Sequence, residues 1–337
     1  MKRKTLYFTA PRQLELHEET LPALGADDVL VETVCSAISA GTEMLIYQGR
    51  FPRDLETDSL ISTLRGGFKY PLAYGYASVG KVVEVGKHVN SEWLSRLVFA
   101  FQPHSSYFVS KPESLFAVPD SLPPETACFL PNMETAINLV HDGAPIFGER
   151  VLVLGQGVIG LLTASLLNKF PLQTMVTADC YELRRNASLN LKVSDVLDPN
   201  SESFKNNSSA YAQRKFDLAF ELSGNPAALN DALALTAFSG RIIIGSWYGE
   251  KPAGIDLGGA FHRSRIRLIS SQVSTIAPEL SGRWDKARRF EVAWQALEKI
   301  EPEKWITHRF SIDQAEKAYR LLDENPQETI QVLVTYS

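Results

Sequence analysis

The chain has 337 residues, 45% of them hydrophobic, with 34 Lys and Arg against 39 Asp and Glu and a formal net charge of −5. That length accommodates two domains with sizeable cores. The acidic balance removes the general phosphate attraction on which nucleic-acid binding rests, so no nucleic-acid partner is expected.

Residues 1–8 carry basic side chains with no apolar stretch behind them. Neither a secretory signal nor a transit peptide is expected, and the expected location is cytoplasmic. Three cysteines, Cys35, Cys128 and Cys180, lie too far apart for a disulfide framework or a C-x-x-C metal site and read as thiols in a reducing compartment. Residues 1–122 are rich in Val, Gly and Pro, with short extended runs at 29–34, 79–85 and 97–101, the style of an irregular β domain. Within it, 49–70 is a long segment containing Arg65-Gly-Gly-Phe68, which reads either as a lid or as a surface insertion. From residue 123 the pattern turns to alternating helices and strands, the mark of a parallel sheet covered on both faces.

Residues 151–160 read Val-Leu-Val-Leu-Gly-Gln-Gly-Val-Ile-Gly, an apolar strand running into a G-x-G-x-x-G turn. Gly155 permits the tight strand-to-helix turn, Gly157 lets backbone approach a pyrophosphate, and Gly160 lets the helix pack closely on the strand. Gln156, Val158 and Ile159 complete the turn that would cradle a dinucleotide, and Val158, Leu161, Leu162 and Leu166 keep the spacing of one buried helix face. A second strand, 173–178, ends at Asp179, 19 residues beyond Gly160, where a carboxylate can accept both adenosine ribose hydroxyls. That acid favours NAD. Arg184 or Arg185 just beyond would accommodate the 2′-phosphate of NADP, or else both lie on a solvated helix face. The longest apolar stretch, 151–167, is broken by Gly and Gln, so no membrane span is expected.

Further along, a helix is predicted over 182–189, a strand over 216–222, a helix over 226–237, and strands over 241–244 and 266–271. Asn225 and Pro226 suit the cap and first turn of the third of these, and Gly240 suits a left-handed stop after it. Ser223 and Ser246, at carboxyl ends of strands, are candidate cofactor contacts, with Trp247 and Tyr248 close by. Ala287, Phe290, Ala293, Trp294 and Leu297 keep helical spacing, Ser311 with Gln314 forms a capping-box pattern, and a strand over 330–335 follows. Residues 200–209 read as a polar loop, whose Asn206 and Asn207 fall in N-x-S patterns without a secretion signal. The expected domains are 1–122, 123–275, and a segment 276–337 that rejoins the first.

Ser36-Ala-Ile-Ser-Ala-Gly-Thr-Glu43, Gly75-Tyr-Ala-Ser-Val-Gly80, Glu134-Thr-Ala136, the glycine turn and Ile306-Thr-His-Arg-Phe310 together resemble the medium-chain dehydrogenase/reductase superfamily over nearly the whole chain. The resemblance implies an α/β architecture: a GroES-like β domain plus a Rossmann domain with a six-stranded parallel sheet, with an active site in the cleft between them. It implies hydride transfer between NAD(P) and a small alcohol or carbonyl substrate, Glu134 and Thr135 near the nicotinamide ribose, and a homodimer paired through strand 266–271. An enoyl or quinone reductase and a non-catalytic NAD(P)-binding protein are the alternatives.

The departures from the zinc enzymes carry the functional detail. A Cys is expected where Ser39 stands, Gly-His-Glu where Gly75-Tyr76-Ala77 stands, and four close cysteines after Phe101. Serine and tyrosine are poor zinc donors beside thiolate and imidazole, so no zinc is expected. A site built from His104, Glu43 and a third donor is the alternative. With Phe261-His-Arg263 and Arg283-Trp284, the pattern is similar to the branch of bacteriochlorophyllide hydroxyethyl dehydrogenase-like proteins. Tyr76 is then the candidate acid or base for the substrate oxygen, or else a packing residue. Ser39, Thr42 and His104 are the other candidates, and Glu43 either orients a donor or is a loop carboxylate paired to an Arg.

Overall fold

In the computed structural model the chain divides into two compact units, Met1–Pro131 with Leu297–Ser337, and Asn132–Ala296; the described residues are 1–52, 69–205 and 210–336. The first unit is built from short strands whose apolar residues alternate inward. β1 (Lys2–Ala10), β2 (Gln13–Thr20) and β4 (Leu72–Ala73) form a three-stranded sheet in the order β2-β1-β4. β3 (Val29–Ile38), β5 (Ser78–Val85), β6 (Leu97–Ala100), β7 (Tyr107–Ser110) and β8 (Phe116–Ala117) belong to a larger mixed sheet. Val29, Val31, Val82, Val98 and Phe108 bury its inner face, the result of period-two patterning.

The C-terminal segment completes this unit. β15 (Ile306–Ser311) pairs parallel with β16 (Gln331–Thr335), and β16 pairs antiparallel with β3. The helix Ala315–Glu324 buries Ala315, Ala318, Tyr319 and Leu322, which share one helical face. The capping box does not form. Ser311 instead opens a 3₁₀ turn, Ile312–Gln314, and its side chain makes no cap bond.

The second unit carries a six-stranded parallel sheet, ordered β11 (Asp195–Leu197), β10 (Thr174–Ala178), β9 (Arg150–Leu154), β12 (Phe216–Glu221), β13 (Thr236–Ile244), β14 (Arg267–Ser270). Central strands β9 and β12 carry the apolar runs Val151–Leu154 and Leu218–Phe220 because both faces are covered. The expected fold, a GroES-like β domain with a Rossmann domain, is the one observed.

Two local expectations are overturned. The helix predicted over 226–237 spans Ala228–Leu235 with Ala227 at its cap, and Asn225 Oδ1 accepts from the Ala227 amide at 3.2 Å. Gly240 is not a helix stop, because Thr236 already pairs with Phe216 and the left-handed residue is Ser239 (φ 58°). Glycine is required at 240 for space: a Cβ there would lie 2.5 Å from Thr236 Cγ2 and 3.0 Å from the Ala237 carbonyl. The lid reading of 49–70 turns on residues 53–68, which lie outside the described residues, as do Asn206 and Asn207. Among the described residues no helix is long and apolar enough to cross a membrane.

Candidate active site

The glycine turn has the geometry its sequence requires. Gly155 sits at φ +90°, and a Cβ on it would lie 2.6 Å from the Leu222 carbonyl and the Ser223 Cα, so β9 and β12 meet at this point. Gly160, in the first turn of the helix Val158–Leu167, would place a Cβ 1.9 Å from the Gly155 carbonyl oxygen. Gly157 caps the helix in an extended conformation, and beside it a Cβ would meet only Arg184 Nη1, at 4.0 Å. The turn is therefore closed where helix and strand pack and open where a phosphate would approach. The Val158 and Ile159 amides lie in the first turn of that helix, at the positive end of its dipole.

Asp179 is buried beside this turn. Its Oδ2 accepts from the Gln156 amide at 2.7 Å and its Oδ1 from the Tyr181 amide at 2.8 Å, so the carboxylate fixes the turn as well as facing it. Gln156 is fully buried, and its Nε2 donates to the Gly155 carbonyl at 2.9 Å. The two arginines differ in place. Arg185 donates to the Asp179 carbonyl and pairs with Asp198, whereas Arg184 stacks over the Tyr181 ring at 4.8 Å on the Gly157 side.

At the carboxyl ends of β12 and β13 the organising residue is one the sequence reading missed, Glu221. It is fully buried; its Oε1 accepts from the Ser223 amide at 2.8 Å and from the Ser223 hydroxyl, and its Oε2 accepts from the Tyr248 phenol. Ser246 Oγ accepts from the Gly224 amide at 2.9 Å. Burial and the Glu221 carboxylate push the Tyr248 phenol pKa well above its ordinary value. Ser223 and Ser246 thus converge on one cluster beside Gly155. The signal for Glu221 was an acid closing the apolar run Leu218–Phe220.

Glu134 is held by a buried arginine. It lies in the helix Leu130–Gly143, where its Oε1 accepts from Arg289 Nη2 at 2.7 Å and Nε at 3.1 Å. The Arg289 side chain is wholly buried; it also donates to Asn138 Oδ1 at 2.6 Å and to the Thr275 and Val273 carbonyls. Thr135 follows on the same helix and is partly buried.

The predicted catalytic residues Ser39, Thr42, Glu43, Tyr76 and His104 come together in the first unit. The Tyr76 phenol donates to Ser39 Oγ at 2.5 Å, and the Thr42 amide donates to the same oxygen at 3.3 Å. The Ser39 amide donates to Glu43 Oε1 at 2.9 Å. Glu43 Oε2 lies 2.9 Å from His104 Nε2 and accepts from the Tyr319 phenol. His104 Nδ1 lies 2.6 Å from Ser36 Oγ, which is 2.7 Å from the Tyr336 hydroxyl. Glu43 is therefore paired to a histidine and a tyrosine, not to an arginine. Ser36, Tyr319 and Tyr336 were not singled out as site residues; they come from distant segments that only the fold unites. Gly75 makes room for the histidine: at φ +138°, a Cβ there would lie 2.9 Å from His104 Cδ2. Burial pushes the Tyr76 pKa up to about 12, with Glu43 adding to the shift and the Ser39 bond opposing it. Among the described residues no three His, Cys, Asp or Glu side chains form a group able to hold a metal ion.

No protein-family model matches the chain. Curated relatives include L-threonine 3-dehydrogenase of Xanthomonas campestris pv. campestris, 24% identical over 94% of each chain, and that of Stenotrophomonas maltophilia, also 24% identical over 94% of each. Among solved structures, a short chain alcohol dehydrogenase from Escherichia coli CFT073, complexed with NADH, superposes with TM-score 0.79 at 21% identity over 99% of both chains. The 2R,3R-butanediol dehydrogenase of Bacillus subtilis superposes with TM-score 0.77 at 18% identity, again over 99% of both chains. The chain has the two-domain fold of these dehydrogenases.

Proposed function

We propose that this protein is a zinc-independent, NAD(P)-dependent oxidoreductase that transfers a hydride between nicotinamide and a small alcohol or carbonyl compound. The observation that carries the reading is the glycine turn: closed at Gly155 and Gly160, open at Gly157, with Asp179 buried beside it. Gly155, Gln156, Gly157, Val158, Ile159 and Gly160 would hold the pyrophosphate, Asp179 the adenosine ribose, and Ser223 and Ser246 the nicotinamide half. The buried carboxylate favours NAD, and Arg184 beside Gly157 leaves NADP as the alternative. The bound cofactor supplies the hydride or accepts it.

What the chain must add is a group that stabilises charge on the substrate oxygen. With a pKa near 12, Tyr76 keeps its proton at neutral pH. It directs that proton to Ser39 Oγ, which also accepts from the Thr42 amide, so the serine hydroxyl is polarised and its own proton is the one presented outward. The reading is thus a phenol–serine donor pair rather than Tyr76 acting alone. Glu43 holds the Ser39 amide, and His104 and Tyr319 hold Glu43. This donor set does not suit zinc: the hydroxyls are bonded to one another, and both His104 ring nitrogens are engaged, by Glu43 and Ser36.

A homodimer completes the proposal, since among the described residues β14 lies at the sheet edge with one side unpaired, a liability that pairing with a second copy relieves. A cytoplasmic site of action fits the reduced cysteines. Titration of the purified protein with NADH and NADPH, together with elemental analysis, tests the core of it. Saturable binding with less than stoichiometric zinc is expected. Absence of binding to either nucleotide, or one tightly held zinc per chain, would overturn it.

A further inference from the structure

All six strands of the second unit's sheet run parallel, so their starts share one end of the sheet. Register aligns them there: Thr174 opposite Arg150, Leu218 opposite Val151 and Arg241, and Arg241 opposite Arg267. The turns leading into this row expose large apolar side chains. Phe147 and Ile146, before β9, are 85% and 65% exposed, and Phe238, where the pairing of β13 with β12 is interrupted, is 70% exposed. Backbone bonds tie these tips to their neighbours. The Gly148 amide donates to the Pro171 carbonyl at 2.9 Å beside Phe170, and the Ser239 amide donates to the Ser264 carbonyl at 2.7 Å, between Arg263 and Arg265.

The same end is basic. Lys169, Arg214, Arg263, Arg265 and Arg267 are exposed around the aromatic tips. Of the carboxylates at this end, Glu149 is neutralised by Arg241 at 2.6 Å and Asp217 by Arg150 at 3.6 Å, while Asp195 at the start of β11 accepts from the Tyr211 hydroxyl at 3.1 Å. A cationic end thus stands on a chain of net charge −5. Cations near helix carboxyl termini offset the dipole, which accounts for Lys169 but not for protruding phenylalanines. An apolar cluster rimmed by charge marks an interaction surface.

We propose that this end of the sheet docks on an anionic lipid surface, with Ile146, Phe147 and Phe238 entering the headgroup boundary while the arginines attract the phosphates. A bilayer interface offers apolar depth and negative charge together. A second copy placed symmetrically would set like charges against one another, and nucleic acid is served by rings lining a groove, not by tips of separate turns. The proposal does not rest on the catalytic reading.

Sedimentation of the full chain with vesicles of phosphatidylcholine alone, or of phosphatidylcholine with phosphatidylserine, tests it. The protein is expected to sediment with the anionic vesicles only, and to release in high salt as the charges are screened. Phe147→Ala with Phe238→Ala should weaken binding about tenfold through lost apolar burial, and Arg263→Glu with Arg265→Glu should abolish it. Both pairs should keep the wild-type melting temperature and NADH titration. Failure to sediment with anionic vesicles, equal sedimentation with neutral ones, or wild-type binding by the phenylalanine variants would overturn the proposal. So would dissociation of an oligomer by those variants in light scattering, or tight binding of labelled single-stranded DNA in place of vesicles.

Discussion

Two glycines of the same turn, Gly157 and Gly160, give opposite expectations for the same added methyl group. In Gly160→Ala the new Cβ would lie 1.9 Å from the Gly155 carbonyl oxygen, against an ordinary carbon–oxygen contact of about 3.3 Å. The turn must therefore yield by about 1.4 Å. Overpacking costs about 1–3 kcal/mol where side chains can move. Here the obstacle is backbone, so the upper end applies, and the ~1 kcal/mol that alanine gains over glycine within a helix offsets only part of it. A net loss of about 2 kcal/mol lowers Tm by roughly 4–8 °C in a unit of this size.

Gly157→Ala meets only the flexible end of Arg184, and alanine at a helix cap in place of glycine costs less than about 1 kcal/mol, so Tm should fall by no more than about 4 °C. Its methyl instead occupies the side from which a pyrophosphate approaches. NADH affinity should drop at least about 30-fold, equivalent to ~2 kcal/mol. The assay is thermal unfolding with and without NADH: at 100 times Kd the wild type gains about 2.7 kcal/mol of stability, and most of that shift should vanish in Gly157→Ala. A Gly157→Ala variant that binds NADH normally, or a Gly160→Ala variant that melts with the wild type, would refute this account of the turn.

Tyr76→Phe should preserve the fold and NADH affinity while lowering kcat about 10²–10⁴-fold, with Ser39→Ala at least as severe, measured by steady-state kinetics on an accepted substrate. Arg289→Met should destabilise the second unit by about 3–5 kcal/mol in denaturant unfolding, because Glu134 is left buried without its partner, and adding Glu134→Gln should recover part of the loss. Burial raises the folded-state pKa of Tyr76 to about 12, and those of Tyr319 and Tyr336 rise as well. Stability from raised phenols is whole below the unfolded value of about 10 and is lost as pH climbs through the folded values, so Tm should hold between about pH 7 and 9 and fall above about pH 10.

The candidate dinucleotide half of the site was legible because its physics is local. A strand, a turn that needs glycine for φ and for space, and an acid closing the next strand are adjacent in sequence, and Gly155, Gly160 and Asp179 stand where that logic put them. The hydroxyl cluster was half legible. Ser39, Glu43 and Tyr76 were marked by the resemblance to the zinc enzymes, but Tyr319 and Tyr336 reach Glu43 and Ser36 from about 300 residues away on the helix Ala315–Glu324 and just beyond β16, and no local pattern announces that. The ion pair of Glu134 was not legible for the same reason. Its partner Arg289 sits on a distant helix, and a buried carboxylate takes whichever cation the fold supplies. The stop assigned to Gly240 failed because a glycine's steric role and its conformational role look alike in sequence, and only the 2.5 Å approach to Thr236 tells them apart.

The most direct test of the central claim is isotope transfer by chelator-treated protein. Deuterium at nicotinamide C4 of the reduced cofactor should appear on the carbinol carbon of the product, at a rate unchanged by metal removal and lost in Ser39→Ala. Turnover that returns only when zinc is added, or a carbonyl panel left unlabelled by a protein saturated with cofactor, would contradict it.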